Sequence, residues 1–239
     1  KAVKYNSLGL AIIDEQHRFG VNQRKALMDK GEHADLLMMS ATPIPRSLAL
    51  SIYGDLEIST LYKFPNVKRD VTTKIVDPED QKIFDVVDLA ISKKQKVYIV
   101  APLIEFNDSE KYSVEKLFAR YLLRYKQKVG LLHGKMKQNE KEEILDRFSN
   151  GDIDILVSTQ VIEVGIDVKS ATTMVIYDAN SFGLASLHQL RGRIGRDGSK
   201  SICLLAIDDM EDEEKLEILT TSNDGFEIAE KDLALRGQS

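Results

Sequence analysis

Short apolar, β-branched runs recur along the chain, at Leu8–Ile13, Leu36–Met39, Val71–Val76, Val97–Ala101, Val129–Leu132, Ile153–Val157, Thr173–Tyr177 and Ile202–Ile207. They are apolar throughout rather than alternating, the pattern of strands in a sheet covered on both faces. Helical patterns lie between them. Ile83, Val86, Val87, Ala90 and Ile91 fall at i, i+3, i+4, i+7 and i+8, one face of a helix. Ser113–Tyr125 and Asn139–Phe148 carry similar stripes. Strands alternating with helices predict βαβ units and an α/β fold with a doubly wound parallel sheet. The rhythm breaks at Lys63–Asp70, a charged stretch containing Pro65. Before it lie two strands, too few for such a sheet. After it lie about six, enough for a whole domain. The expected organisation is the C-terminal part of one α/β domain over 1–62, a linker over 63–70, a complete domain over 71–222, and a further tail over 223–239.

Composition excludes several classes. Hydrophobic residues make up 43% and charged residues 30% of the 239, ordinary values that argue against disorder or a coiled coil. No apolar run approaches the roughly 18 residues of a membrane span, and Leu8–Ile13 is too short for a signal peptide's apolar region. The chain does not begin with Met, so Lys1 is read as a cut inside a longer chain. A lone cysteine, Cys203, forms no internal disulfide and suggests a reducing compartment. Its apolar neighbours predict a buried strand residue rather than a nucleophile. Four histidines, at 17, 33, 133 and 188, stand apart from any cysteine pair, so no zinc site is expected. The net charge of −5 does not exclude an anionic partner. Asp208–Glu217 holds seven acids and one lysine, and without it the chain stands at +1.

Ligands of doubly wound sheets bind beyond the carboxyl ends of the strands. The first run ends in Asp14-Glu15-Gln16-His17. An aspartate there can hold Mg²⁺ and a glutamate beside it can activate water, although Asp-Glu also serves as a plain turn or helix cap. The second run ends in Ser40-Ala41-Thr42, whose hydroxyls suit either a relay to a phosphate site or a helix cap. Asp154–Val157 leads into Ser158-Thr159 and then Gly165-Ile166-Asp167. A strand end with hydroxyls before a helix can hold a backbone phosphate through free N–H groups, or can simply be a capped helix. Finally, His188–Arg196 carries arginines at 191, 193 and 196. Arg193 and Arg196, three apart, would share a helical face and could clamp a polyphosphate or stabilise a transferring γ-phosphate. Gly192 and Gly195 weaken a helix there, which requires a close approach by backbone or ligand.

The order Asp-Glu-x-x, Ser-Ala-Thr, linker, Thr…Gly-x-Asp and Gln-x-x-Gly-Arg-x-x-Arg resembles motifs II, III, V and VI of the superfamily 2 helicases. The longer strings DEQHRFGV (14–21), SATPIPRS (40–47), LLHGKM (131–136) and FGLASLHQLRGRIGR (182–196) are similar to the RecG family of ATP-dependent DNA helicases, with the transcription-repair coupling translocases next. The resemblance implies RecA-like lobes that use ATP and Mg²⁺, and a bacterial cytoplasmic protein acting as a monomer on branched or double-stranded DNA, with a single-stranded DNA-binding protein as a further partner. It implies that Asp14 holds Mg²⁺ with Glu15, which activates water. Gln189, Arg193 and Arg196 act on the γ-phosphate, and Gly165, Asp167 and His17 contact the nucleotide. Ser40 and Thr42 couple nucleotide state to DNA, and Thr159, His133 and Arg236 serve DNA. Residues 225–237 resemble the entry to the hairpin that couples closure to DNA movement. No G-x-x-x-x-G-K-[ST] occurs. That loop is expected upstream of Lys1, and the chain alone is expected to hydrolyse no ATP, acting by itself as a non-catalytic nucleic-acid-binding lobe.

Overall fold

The computed structural model describes residues 7–14, 34–40, 57–59, 61, 69–102, 112–159, 168, 170–209 and 213–236. The chain divides into two compact units, Lys1–Pro45 and Arg46–Ser239. In the first, β1 (Leu10–Ile13) pairs in parallel with β2 (Asp35–Met38), Leu10 opposite Asp35 and Ile13 opposite Met38. Ala11 and Ile13 are buried while Leu10 and Ile12 are exposed. The pleat sends alternate side chains to opposite faces, and in β1 the face of Ala11 and Ile13 is the covered one.

The second unit is built on a six-stranded, all-parallel sheet in the order β3-β8-β7-β4-β6-β5. Its strands are β3 (Asp70–Val76), β4 (Lys96–Val100), β5 (Val129–Leu132), β6 (Ile155–Ser158), β7 (Ala171–Tyr177) and β8 (Lys200–Ala206). β3 begins on the last residue of the expected linker, and residues 63–68 lie outside the described set. The described helices of this unit are α1 (Lys82–Ser92), α2 (Val114–Tyr125), α3 (Gln138–Asn150), α4 (Leu184–Arg191), α5 (Glu213–Thr221) and α6 (Gly225–Arg236).

The sheet is doubly wound because the chain reverses its direction of travel across it. β3 to β4 to β5 runs one way, and β5 to β6, β7 and β8 runs back. Parallel crossovers keep one hand, so the reversal puts their helices on opposite faces. The core divides accordingly. Ile83, Val87 and Ala90 of α1 and Leu117 and Tyr121 of α2 pack on Val97, Ile99 and Val175. Phe148 of α3, Leu187 and Leu190 of α4, Leu216 and Leu219 of α5 and Ile228 of α6 pack on Tyr98, Val100, Met174 and Ile176. β4, β6 and β7 are buried along their whole length, as continuous apolar runs require. Cys203 is fully buried in β8, and burial pushes its thiol up to about 12, which fits an inert core residue. The acidic stretch is not a wholly solvated helix. α5 buries Leu216 and Leu219 against the sheet and turns Glu214 and Glu217 outward. Among the described residues, no helix is long and apolar enough to cross a membrane.

Candidate nucleotide and nucleic-acid site

Parallel strands place all six carboxyl ends on one edge. β5 and β6 are neighbours in register, Leu132 opposite Ser158, so the residues after them, His133 and Thr159, lie side by side. The Thr159 N–H donates to the Leu132 carbonyl at 3.3 Å. Three polar atoms here are buried and have no hydrogen-bond partner among the described residues: His133 Nδ1, Ser158 Oγ and Thr159 Oγ1. An unsatisfied buried polar group costs about 1–3 kcal/mol, so a cluster of three calls for a reason. His133 and Thr159, picked out separately in sequence, are thus brought together. Ser158, read with Thr159 as a strand-end hydroxyl, joins them. Its signal in the sequence is a hydroxyl ending an otherwise apolar strand.

The Gln-x-x-Gly-Arg-x-x-Arg segment goes elsewhere. Gln189 lies half-buried on α4, whose Leu184, Leu187 and Leu190 face the core. The N-cap position is Gly183, with no side chain to cap the helix. Asp232 of α6 takes over, its Oδ1 accepting from the Leu184 N–H at 3.1 Å. At the other end Arg191 is 5% exposed. Its Nη1 donates to the carbonyls of Leu219 (2.7 Å) and Ser222 (3.0 Å) and meets Thr73 Oγ1 at 3.4 Å. Its Nη2 donates to His188 Nδ1 at 2.9 Å. Burial, then the Arg191 and Arg69 charges, pull His188 down to about 4, so the ring is neutral and can accept. Burial also lowers the Arg191 pKa. Arg191 is therefore a structural strut between α4 and the α5–α6 turn.

A second correction concerns the helical face. α4 ends at Arg191, so Arg193 and Arg196 do not share a helix face but lie in the turns beyond it. The Arg193 N–H closes onto the Leu190 carbonyl at 2.8 Å, and the Gly195 N–H bonds the carbonyl of Ala171, the first residue of β7, at 2.9 Å. That bond pins the turn to the amino edge of the sheet, opposite His133 and Thr159. Gly195 has φ +67°, and a Cβ there would meet Ser201 Oγ at 2.8 Å, so the expected close approach is real. Arg193 and Arg196 are both half-buried, and Arg196 Nε donates to the Gly192 carbonyl at 3.4 Å.

In the first unit, Asp14 follows β1 with its carboxylate exposed, and Ser40 lies two residues beyond β2, half-buried. Glu15, His17, Thr42, Gly165 and Asp167 lie outside the described residues, as does the side chain of Arg236, the last residue of α6. Among the described residues, no group of three or more His, Cys, Asp or Glu could hold a metal ion.

Residues 81–198 match the family described as helicase conserved C-terminal domain. Over 98% of its length the chain is 47% identical to the ATP-dependent DNA helicase RecG of Thermotoga maritima and 44% identical to that of Bacillus subtilis. It spans 31% and 35% of those two proteins, about a third of their length. A solved structure of RecG bound to a three-way DNA junction is similar over 97% of this chain and 30% of that one, with 44% identity and a TM-score of 0.76. Dbp5 of S. cerevisiae, bound to RNA and ADP BeF3, is 20% identical with a TM-score of 0.63 over 91% of this chain and 57% of its own, a likeness of fold.

Proposed function

With RecG-like sequence along 98% of its length and a RecA-like helicase lobe, this chain belongs among the RecG-like superfamily 2 helicases, and from that premise we propose that it is part of an ATP-dependent, double-stranded DNA translocase that remodels branched DNA. The observation that carries this reading is the trio of unsatisfied buried polar atoms at the carboxyl ends of β5 and β6. A backbone phosphate can accept from the two hydroxyls and from a ring N–H of His133, which would satisfy groups left unpaired among the described residues.

The residues present fit ATP and Mg²⁺ in two respects. Asp14 holds an exposed carboxylate at a strand end, and the turns after α4 present two guanidinium groups. ATP supplies the scissile phosphoanhydride, and Mg²⁺ neutralises phosphate charge. In the first unit, Asp14 with Glu15 would hold the cation, and Glu15 would orient the attacking water and accept its proton. In the second unit, Gln189 would hydrogen-bond a γ-phosphate, and Arg193 and Arg196 would stabilise charge developing on it. Gly165, Asp167 and His17 contact the nucleotide. Ser40 and Thr42 pass nucleotide state toward DNA, Thr159 and His133 hold the backbone, and α6 with Arg236 begins the element that couples the two.

The test is Arg196→Ala in a full-length RecG-like protein carrying this sequence. An arginine finger is worth about 10³–10⁵ in rate, so DNA-stimulated ATP hydrolysis should fall by about that factor while duplex binding persists. Normal turnover would sink the assignment.

A further inference from the structure

The amino edge of the six-stranded sheet carries a second group of cations, at the ends of α1 and α2. Two helix-to-strand turns there end in lysines held at positive φ: Lys94 at +57° after α1 and Lys126 at +54° after α2. The first is a Schellman turn. The Gln95 N–H reaches the Ala90 carbonyl and the Lys94 N–H the Ile91 carbonyl, each at 2.9 Å, which puts Lys94 where glycine is the usual residue. The neighbouring α3 ends as most helices do, on Gly151 at φ +95°. Lysine at such a position is strained where glycine is not. Two lysines at positive φ on one edge, Lys126 with ψ −129° and so outside the left-handed helical region, point to the side chain rather than the backbone.

The surroundings agree. Asp88 ties the last turn of α1 to that of α2, accepting from Arg124 Nη2 at 2.6 Å and from Tyr125 Oη at 2.7 Å. Beside Tyr125 opens a crevice of about 590 Å³ lined by Lys126, Lys128, Arg147 and Asp152 among others. Lys128 shares Asp154 with the buried Lys96. Among the described residues, no carboxylate pairs with Lys93, Lys94, Lys126 or Arg147. An aromatic wall within a run of unpaired cations is the surface a phosphodiester backbone meets. We propose that this edge is a second nucleic-acid contact, at which Lys94, Lys126 and Arg147 hold backbone phosphates independently of the carboxyl-edge residues.

The competing role for these lysines is to offset the helix dipoles, which cations near helix C-termini do. A double variant, Lys94→Gly with Lys126→Gly, separates the two, because glycine relieves the strained φ while removing the charge. Duplex binding by this chain, measured from 50 to 200 mM salt, should weaken, and the slope of log K against log salt should shrink by about 2, one for each lost phosphate contact. The melting temperature should hold or rise. An unchanged slope overturns the proposal and leaves the lysines to the helix dipoles. Inorganic tripolyphosphate, titrated in parallel, distinguishes a free polyphosphate from a strand. If it loses affinity in the double variant while duplex binding is untouched, the backbone assignment is overturned. Loss of a Glu-rich peptide's binding with duplex binding intact overturns it as well. Repeating the pair in a Thr159→Val background keeps the proposal apart from the carboxyl-edge reading: the same drop in slope should appear there, whether or not that background has itself lost affinity.

Discussion

The two edges of one parallel sheet hold chemistry of opposite kinds. At the carboxyl edge, His133 Nδ1, Ser158 Oγ and Thr159 Oγ1 are buried and have no hydrogen-bond partner among the described residues. At the amino edge, the turn bearing Arg193 and Arg196 is pinned by a bond to Ala171 and backed by Arg191, whose donors are satisfied by carbonyls of a later segment. Helix α4 and the turns after it carry the chain back along β7, and the bond from Gly195 to Ala171 places the arginine-bearing turn at the opposite edge. So one edge carries an unsatisfied cost in the free chain, and the other carries satisfied scaffolding behind its half-buried cations. Substitutions should act on stability with opposite signs at the two edges.

The largest effect is expected at Arg191. Arg191→Met keeps the volume but removes donors to two buried carbonyls and to His188. Hydrogen bonds to charged groups are worth about 1.5–3 kcal/mol each, so losing all three should cost about 4.5 kcal/mol or more. A fall in the urea midpoint at constant slope measures it. A change within 0.5 kcal/mol would show that Arg191 is not the strut.

His188 gives that strut a pH signature. Its pKa is about 4 in the fold against an ordinary 6.5, so between these values the unfolded chain binds more protons. Stability from this group is full above pH 6.5 and is lost as pH falls toward 4. Melting temperatures of the chain and of His188→Asn should run parallel above pH 6.5, and the wild-type curve should drop faster below it. Parallel curves down to pH 4 would mean that the ring is protonated without penalty.

A smaller effect is expected at Asp232. Losing an N-cap costs about 1 kcal/mol, and Asp232→Ala removes the acceptor for the Leu184 N–H. Amide exchange should speed up in the first turn of α4 and not in α3. Equal acceleration in both helices would indicate general loosening rather than a lost cap.

These three residues act through contacts that the sequence shows least. The strands were legible because burial on both faces leaves a mark on consecutive residues, as in Lys96–Val100 and Ala171–Tyr177. α1 was legible because Ile83, Val87 and Ala90 repeat at helical spacing and are buried. The end of α4 was not. Leu187, Leu190 and Ile194 keep a helical spacing after the helix has stopped, since all three are buried. What stops it is a bond from Gly195 to Ala171, a residue 24 positions away that no local pattern reveals. The role of Arg191 is not legible in the sequence because its partners, Leu219 and Ser222, offer backbone carbonyls, which leave no trace there. Asp232 was invisible as a cap for the same reason: it sits 48 positions from the N–H it satisfies. At the candidate site, His133 and Thr159 were identifiable one at a time as residues after strand ends. Their adjacency comes only from the order β6-β5 at the sheet margin.

The smallest effect carries the opposite sign. Thr159→Val is nearly isosteric and removes a buried hydroxyl that has no partner in the free chain. Replacing an unsatisfied polar group by an apolar one of the same shape is neutral or stabilising, so the chain should hold its stability or gain up to about 1 kcal/mol. The same change removes a donor to a bound phosphate, and duplex affinity should fall by about threefold to tenfold, the worth of one ordinary hydrogen bond. Urea unfolding and duplex titration on one preparation read both quantities. A variant that loses stability would show that Thr159 Oγ1 is satisfied in solution. The carboxyl edge would then be a scaffold like the amino edge, and the contrast between them would collapse. A variant that gains stability while losing affinity would locate in this hydroxyl the trade of folding stability for phosphate binding that the two edges divide between them.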